Sequence, residues 1–230
     1  WFEGRWHEGD IPVMKAADHG SWLGTTVFDG ARFFEGLTPD LDRHLARVNR
    51  SAEALMIKPS MSVEQMLEIT REGLEGFASA VYIRPMYWSI HGGASGVLPS
   101  YGETGFCLCL EDIPMAPESA STTLTTTRFR RPTLDVAVTN AKAGCLYPNN
   151  ARMLAEANAK GFANALVQDS HGNVAESATA NAFMVKDGEV FTPIANGTFL
   201  AGITRARHIS NMRKDGITVH EGVLTYQDFE

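Results

Sequence analysis

Two Asp-Gly dipeptides limit how this chain can fold, because each lies between short runs of strand-forming residues. Asp29-Gly30 divides "GTTVFDGARFF" (24–34), and Asp187-Gly188 divides "AFMVKDGEVFTP" (182–193). An Asp-Gly pair between two strands favours the type I′ turn of a β-hairpin. Helical patterns lie between and after these hairpins, so the order of elements is not a regular parallel βαβ series. The sequence therefore predicts an α+β (mixed α/β) fold in two domains.

Start signals and periodicity place the other elements. The spacing predicts a helix over 39–56 after an N-cap at Thr38, and a second over about 63–77. Ser62 with Gln65 three residues later has the capping-box spacing for that second helix. Further helices are predicted from Pro148 to Gly161 and over 203–216, and one begins in "TYQDFE" (225–230). Further strands are predicted over 79–90, 104–111, 121–128, 134–139, 164–169 and 217–224.

The segment "EDIPMAPESAS" (111–121), with Pro114 and Pro117, is the best linker. It predicts a small α/β domain over 1–113, a linker over 114–121 and a larger domain over 122–230. No signal-peptide pattern opens the chain, so we expect no leader segment, and the chain begins at Trp1 without a methionine.

Charge and composition exclude several classes of partner. The net charge is −7 with 20 Lys and Arg residues, which argues against nucleic acid, whose affinity comes from basic residues on phosphates. No apolar run is long enough for a membrane span. Cys107, Cys109 and Cys145 are too few for a zinc tetrad, and we expect no metal site. Buried thiols of a reducing compartment are the ordinary interpretation, which predicts a cytoplasmic protein.

A single lysine stands out in "NAKAGCLYPNNARMLAEA" (140–157), where Lys142 is flanked by Ala141, Ala143 and Gly144. Small neighbours leave room for a bulky group to reach the amine. A lysine is nucleophilic when neutral, and burial favours the neutral form. A lone lysine is more often a surface charge, so local composition does not decide between the two.

Six segments carry a resemblance to a known family, and they occur in the family's order. They are "VFDGARFF", "DRHLARVNRSA", "YIRP", "AKAGCLYPNNA", "AESATANAF" and "GITR". Together they resemble the fold-type IV pyridoxal-phosphate enzymes, the class IV aminotransferases, most closely the branched-chain amino acid aminotransferase group. The resemblance runs over essentially the whole chain. It implies a two-domain fold like that of D-amino-acid aminotransferase, with the active site at the domain interface, residues 122–230 as a cofactor-binding domain, and a homodimer. The family continues past Glu230, so we expect that domain to be C-terminally incomplete.

The resemblance implies roles for six residues at the cofactor, pyridoxal 5′-phosphate. Lys142 matches the catalytic lysine that holds the cofactor aldehyde, and Glu176 matches the carboxylate facing the pyridine nitrogen. Tyr147 matches the phenol bonded to the ring oxygen. Arg47, Ile203 and Thr204 match the phosphate-binding residues. Helical periodicity alone places Arg47 off the apolar stripe, on a solvated face, so its assignment rests on the resemblance.

Substrate recognition is implied for five more residues. Tyr82 and Arg84 lie two apart on a strand and share one face, while Val81 and Ile83 face the core. The resemblance gives Arg84 the distal carboxylate of a dicarboxylic donor such as glutamate; an ion pair on the strand surface is its ordinary alternative. Phe28 and Gly30 match other pocket positions. Leu23 stands where the branched-chain group usually has a tyrosine.

The predicted function is pyridoxal-phosphate-dependent transamination of branched-chain L-amino acids (leucine, isoleucine, valine) with 2-oxoglutarate by a ping-pong mechanism. Leu23 and the basic stretch "RFRRP" (128–132) keep other specificities open on the same fold: an (R)-amine or D-amino-acid transaminase, or an aminodeoxychorismate lyase. An inactive or truncated binding member is a further alternative. Arg128, Arg130 and Arg131 either bind an anion or are solvated, and solvation is the favoured interpretation.

Overall fold

The computed structural model describes residues 1–229, which divide into two compact units. The first unit contains Trp1–Glu118 together with Ala141–Cys145, and the second contains Ser119–Asn140 and the chain from Leu146 onward. The five residues around Lys142 thus pack with the first unit, whereas the sequence placed them inside a continuous second domain. Within the described residues, no helix has the length and apolar character that a membrane crossing requires.

The secondary structure of the described residues mixes helices and strands, as predicted. The helices are α1 (His19–Leu23), α2 (Leu41–Ala54), α3 (Val63–Leu74), α4 (Tyr147–Ala159) and α5 (Ile203–Lys214), with short 3₁₀ segments at Gly144–Leu146 and Tyr226–Phe229. The strands are β1 (Thr26–Phe28), β2 (Ala31–Phe33), β3 (Val81–Ser89), β4 (Thr104–Asp112), β5 (Leu124–Arg131), β6 (Asn164–Asp169), β7 (Val174–Ser177), β8 (Met184–Lys186), β9 (Glu189–Pro193) and β10 (Val219–Gly222). The helix predicted to begin within 225–230 is a 3₁₀ turn as far as Phe229, and Glu230 lies outside the described residues.

The long strand β3 organises the sheet of the first unit. It pairs antiparallel with β4 on one edge and with both β1 and β2 on the other. β1 pairs with Met86–Trp88 and β2 with Val81–Ile83, so the two short strands follow one another along the same edge. The hairpin predicted at Asp29-Gly30 is therefore wrong. A type I′ turn needs positive φ at both central residues, and neither has one.

Two helices cover this sheet. The apolar stripe of α2 is buried at Leu41, Leu45, Val48 and Ala52, and the helix packs against β1 and β3. Its N-cap is Asp40 instead of Thr38. The capping box predicted for α3 is confirmed: Gln65 N–H donates to Ser62 Oγ at 3.2 Å and Ser62 N–H donates to Gln65 Oε1 at 2.8 Å.

The second unit combines parallel and antiparallel pairs. β5 and β6 are parallel, and α4 makes the crossover between them, burying Met153 and Ala157 against Ala165 and Val167. β9 and β10 are also parallel, and α5 connects them. The hairpin predicted at Asp187-Gly188 is confirmed, since β8 pairs antiparallel with β9 and both turn residues have positive φ, 52° and 82°.

Several local predictions were wrong or incomplete. The strand predicted over 134–139 is absent, because β5 continues through the basic stretch to Arg131 and turns follow it. β7 and α1 were not predicted at all. The thiols were expected to be buried, but only Cys107 is; Cys109 is half-buried and Cys145 is exposed.

Candidate active site

The backbone around Lys142 is fixed on both sides within the first unit. The Lys142 N–H donates to Ser51 Oγ at 3.1 Å, and its carbonyl accepts from the Phe28 N–H at 3.1 Å. The next residue, Ala143, forms a bridge with Val27. Residues 142 and 143 thus lie along the edge of β1. Their backbone contacts fix the position from which the lysine side chain projects.

The surroundings of the Lys142 amine are small and aromatic. Its Nζ lies 5.0 Å from the centroid of the Phe28 ring, a distance at which an ammonium is attracted to an aromatic face. Ala141 and Ala143 are buried. A Cβ on Gly144 would lie 2.2 Å from Thr26 Oγ1, so this position has no room for a side chain. The structure therefore places Lys142 beside Phe28.

Arg47 is buried, contrary to the solvated position that helical periodicity predicted. Its Nε donates to Asp29 Oδ2 at 2.6 Å and an Nη to Asp29 Oδ1 at 2.8 Å, and His44 Nδ1 lies 2.7 Å from that second oxygen. Burial opposes ionisation of Asp29, but hydrogen bonds from Arg47 and His44 outweigh it and hold its pKa below the ordinary value. The guanidinium is thus clamped by a charged carboxylate.

Gly30 and Tyr82, both predicted for the substrate pocket, lie in contact. A Cβ on Gly30 would fall 2.3 Å from the Tyr82 hydroxyl, so only glycine lets the phenol lie over this backbone. The Arg32 guanidinium covers the same ring at 5.2 Å from its centroid. The face predicted for Tyr82 and Arg84 is confirmed, because Val81 and Ile83 are buried and these two are half-buried.

Arg84 forms an ion pair with Glu111, and both side chains are about one third exposed, at 34% and 37%. A hydrogen bond with Cys107 lowers the pKa of the nearby Cys109 thiol to about 6 against the effect of burial, and the Arg84 guanidinium adds to this lowering. The strand-surface ion pair considered for Arg84 is therefore present. A substrate carboxylate at Arg84 would compete with Glu111.

Leu23 ends α1 and is 38% exposed. Gly24 follows it in the left-handed region with a φ of 72°. A Cβ on Gly24 would lie 3.7 Å from Cys145 Cβ, which places this turn beside the segment that carries Lys142.

In the second unit, Glu176 lies on β7 with its side chain 11% exposed. Its Oε1 is 3.1 Å from Arg131 Nε, and its Oε2 accepts from Asn181 Nδ2 at 3.1 Å. The carboxylate is thus buried and has a cation on one oxygen and an amide on the other.

The N-terminus of α5 lies next to this carboxylate. Asn181 also donates to the Leu200 carbonyl at 3.4 Å, and a Cβ on Gly202 would lie 1.9 Å from Asn181 Oδ1. Gly202 is the N-cap, and among the described residues no side chain caps the helix. Backbone N–H groups at such an end favour an anion. Asn181 therefore brings the predicted phosphate residues Ile203 and Thr204 close to Glu176.

Tyr147 opens α4 and is followed by Pro148, a residue suited to the first turn. Its side chain is 37% exposed. The predicted contact of its hydroxyl with a cofactor stays a prediction.

Sequence reasoning missed three supporting residues: Asp29, Arg131 and Asn181. Asp29 was assigned to a turn, and Arg131 to a solvated run. Asn181 lies inside "AESATANAF", where its position five residues after Glu176 was the available signal. In each case the contact is with a residue that the local pattern does not specify.

The donor groups fit pyridoxal phosphate in chemical type. An amine suits the aldehyde, a buried carboxylate suits a protonated ring nitrogen, and an arginine with an uncapped helix N-terminus suits the phosphate. Lys142 and Arg47 belong to the first unit, and Glu176, Ile203 and Thr204 belong to the second.

Comparisons with known proteins give the same answer. The family model described as amino-transferase class IV matches residues 26–230. A crystal structure of an aminotransferase from Brucella abortus bound to the cofactor PLP is 58% identical, with a TM-score of 0.97, over 100% of this chain and 82% of that one.

Two further relatives carry a more specific name. A probable branched-chain-amino-acid aminotransferase of Rickettsia conorii is 31% identical over 98% of this chain and 79% of its own length. The crystal structure of the Escherichia coli branched-chain amino acid aminotransferase is 27% identical, with a TM-score of 0.88, over 99% of this chain and 78% of that one.

Proposed function

We propose that this chain, which belongs to the class IV aminotransferase family, transfers the amino group of branched-chain L-amino acids to 2-oxoglutarate by a ping-pong mechanism. It is an aminotransferase, and its cofactor is pyridoxal phosphate. The names of the curated relatives support the branched-chain substrate class.

One observation carries the proposal: the fixed placement of Lys142. Its backbone is held at both N–H and C=O, and its amine lies over Phe28. A lysine held in this way meets the positioning that a catalytic amine needs. A surface lysine has no such requirement.

Each predicted cofactor residue would then have a defined role. The bound cofactor supplies a ring that withdraws electrons, which makes the substrate α-proton removable. Lys142 would hold the cofactor and, when displaced by substrate, would serve as the base for that proton. Glu176 would hold the ring nitrogen, and Tyr147 the ring oxygen. Arg47 and the N-terminus of α5 would hold the phosphate.

The predicted residues come from both units, so the proposal requires that both sets act on one cofactor molecule. Substitution of Lys142 and substitution of Glu176 should then both change the absorption spectrum of the same bound cofactor. We also propose the homodimer and the cytoplasmic location expected from the sequence.

A second specificity on the same fold is favoured by two observations. Leu23 replaces the group's usual tyrosine, and Arg84 is already paired with Glu111. An enzyme acting on (R)-amines, or on D-amino acids with a single carboxylate, would not need Arg84 for a dicarboxylic substrate.

The decisive experiment is Lys142→Ala in the cofactor-loaded protein. We expect loss of the borohydride-reducible absorption band and a fall in turnover of about 10³-fold, since loss of a positioned base typically costs 10²- to 10⁴-fold. Lys186→Ala, at an exposed hairpin residue, is the control and should change neither. Turnover near the wild-type rate in Lys142→Ala would eliminate this assignment.

A substrate panel separates the specificities. Leucine, isoleucine and valine should be the best donors with 2-oxoglutarate as acceptor. Activity confined to D-alanine or an aryl (R)-amine would refute the substrate class and leave the aminotransferase assignment intact.

A further inference from the structure

Arg131, which the sequence predicted to be solvated, is a buried charged residue. It is the last residue of β5, where Arg128 and Arg130 are exposed and Arg131 is buried. Its Nη1 donates to Asn150 Oδ1 at 2.6 Å, and its Nη2 donates to the carbonyls of Ser177 at 3.0 Å and Ala178 at 2.9 Å. Three uncharged oxygen acceptors thus bind the guanidinium.

The remaining side of the guanidinium faces Glu176. Arg131 Nε lies 3.1 Å from Glu176 Oε1, and the two side chains are only 9% and 11% exposed. Burial disfavours a charged carboxylate, and a nearby arginine, which does not lose its proton in proteins, favours it. The arginine also binds the two carbonyls that directly follow Glu176 in the chain, so it fixes the backbone as well as the charge.

We infer that Arg131 is a positioning residue for Glu176: it keeps this carboxylate charged and oriented toward the cofactor ring nitrogen. The inference rests on the proposed function, which gives Glu176 that task. Asn181 holds the other oxygen, so the carboxylate has a fixed direction, with Arg131 on one side and the loop before α5 on the other. The charge of Arg131 acts on the cofactor through Glu176 and not by contact.

A double-mutant cycle tests this inference, with Arg131→Met, Glu176→Gln and the double variant. The readouts are the dissociation constant of pyridoxal phosphate from the apo protein and the pH midpoint of the absorption band of the bound cofactor. We expect each single variant to weaken cofactor binding on the order of 10-fold, the size typical for loss of a supporting partner. The double variant should then differ from Glu176→Gln alone by less than about 2-fold, since groups that act as a unit are non-additive.

Two further variants control for charge and folding. Arg130→Met removes an exposed charge from the neighbouring position and should leave both readouts at wild-type values. Arg131→Lys keeps the positive charge but loses the planar set of N–H donors. It should therefore retain the pH midpoint of the absorption band while binding the cofactor less tightly. If Arg131→Met does not fold, Arg131→Lys in the same cycle with Glu176→Gln gives the answer.

The outcomes separate this inference from the proposed function. Full additivity of Arg131→Met and Glu176→Gln, or an unchanged spectrum in Arg131→Met, would overturn the inference and leave the function standing. If Glu176→Gln and Lys142→Ala both leave the cofactor spectrum unchanged, the proposed function itself fails.

Discussion

Each unit contains a buried arginine–carboxylate pair, and the two pairs divide their tasks in opposite ways. In the first unit the arginine, Arg47, is the predicted cofactor residue, and Asp29 supports it. In the second unit the carboxylate, Glu176, is the predicted cofactor residue, and Arg131 supports it. The phosphate end of the cofactor needs a cation, and the ring nitrogen needs an anion, so each buried charge requires a counter-charge that does not itself bind the cofactor.

The supports also differ in how they are anchored. Asp29 is fully buried, and its two carboxylate oxygens accept hydrogen bonds from two basic side chains, Arg47 and His44. Arg131 instead has three acceptors of its own besides Glu176. Substitution of Asp29 therefore removes an acceptor that two buried basic side chains share. Substitution of Glu176 leaves Arg131 with its three other acceptors.

The largest effect should come from Asp29→Ala. We expect it to lower the free energy of unfolding by about 3–5 kcal/mol, the usual cost of removing one partner of a buried ion pair. Glu176→Ala should cost clearly less, because Arg131 keeps its other acceptors. Urea unfolding of the two variants measures the difference, with Asp29→Asn as the variant that keeps the side-chain shape. Equal losses in the two units would contradict the comparison.

Local sequence rules predicted part of this arrangement. The capping box of α3, the alternating faces of β3 and the turn at Asp187-Gly188 depend only on neighbours in sequence, and the structure confirms them. Asp29-Gly30 has the same dipeptide signal and does not turn. Its flanking strands pair with β3, which begins about 50 residues later, instead of with each other. No local sequence pattern specifies this choice of partner strand.

The candidate site shows the same limit. The small residues around Lys142 were visible in the sequence, and the resemblance gave Glu176 and Arg47 their roles. The burial of Arg47 and Arg131 was not predicted, because periodicity and local composition describe a residue's own element. Arg131 is buried by contacts with residues 176–178, which no helical or strand period connects to it.

A second, smaller effect should appear in the free energy of unfolding at acidic pH. Arg47 and His44 hold the pKa of Asp29 below its ordinary value of about 3.9, despite burial. A group whose pKa is lowered by folding stabilises the protein fully above its unfolded pKa, and that contribution is lost as the pH falls through the lower folded value. The stability advantage of wild type over Asp29→Asn should thus be constant near neutral pH and shrink below about pH 4. Urea unfolding of both proteins at several pH values measures it, and an advantage that grows with acid would have the wrong sign.

The smallest effect on stability should come from an exposed arginine–carboxylate pair, Arg84 with Glu111. Both side chains are about one third exposed, so Glu111→Gln should cost less than about 1 kcal/mol, as exposed ion pairs do. Its effect on catalysis should be larger than its effect on stability. Removing the Glu111 charge frees the Arg84 guanidinium for a substrate carboxylate, which should lower the KM for 2-oxoglutarate severalfold.

Arg84→Met completes that test. It should raise the KM for 2-oxoglutarate by about 10-fold, because a hydrogen bond to a charged group is worth about 1.5–3 kcal/mol. A 2-oxo acid with no second carboxylate, 4-methyl-2-oxopentanoate, is the control and should show little change in either variant. If Arg84→Met leaves the KM for 2-oxoglutarate unchanged, Arg84 serves only the strand-surface pair. The exposed pair would then differ from the two buried pairs, because neither Arg84 nor Glu111 would bind a substrate or the cofactor.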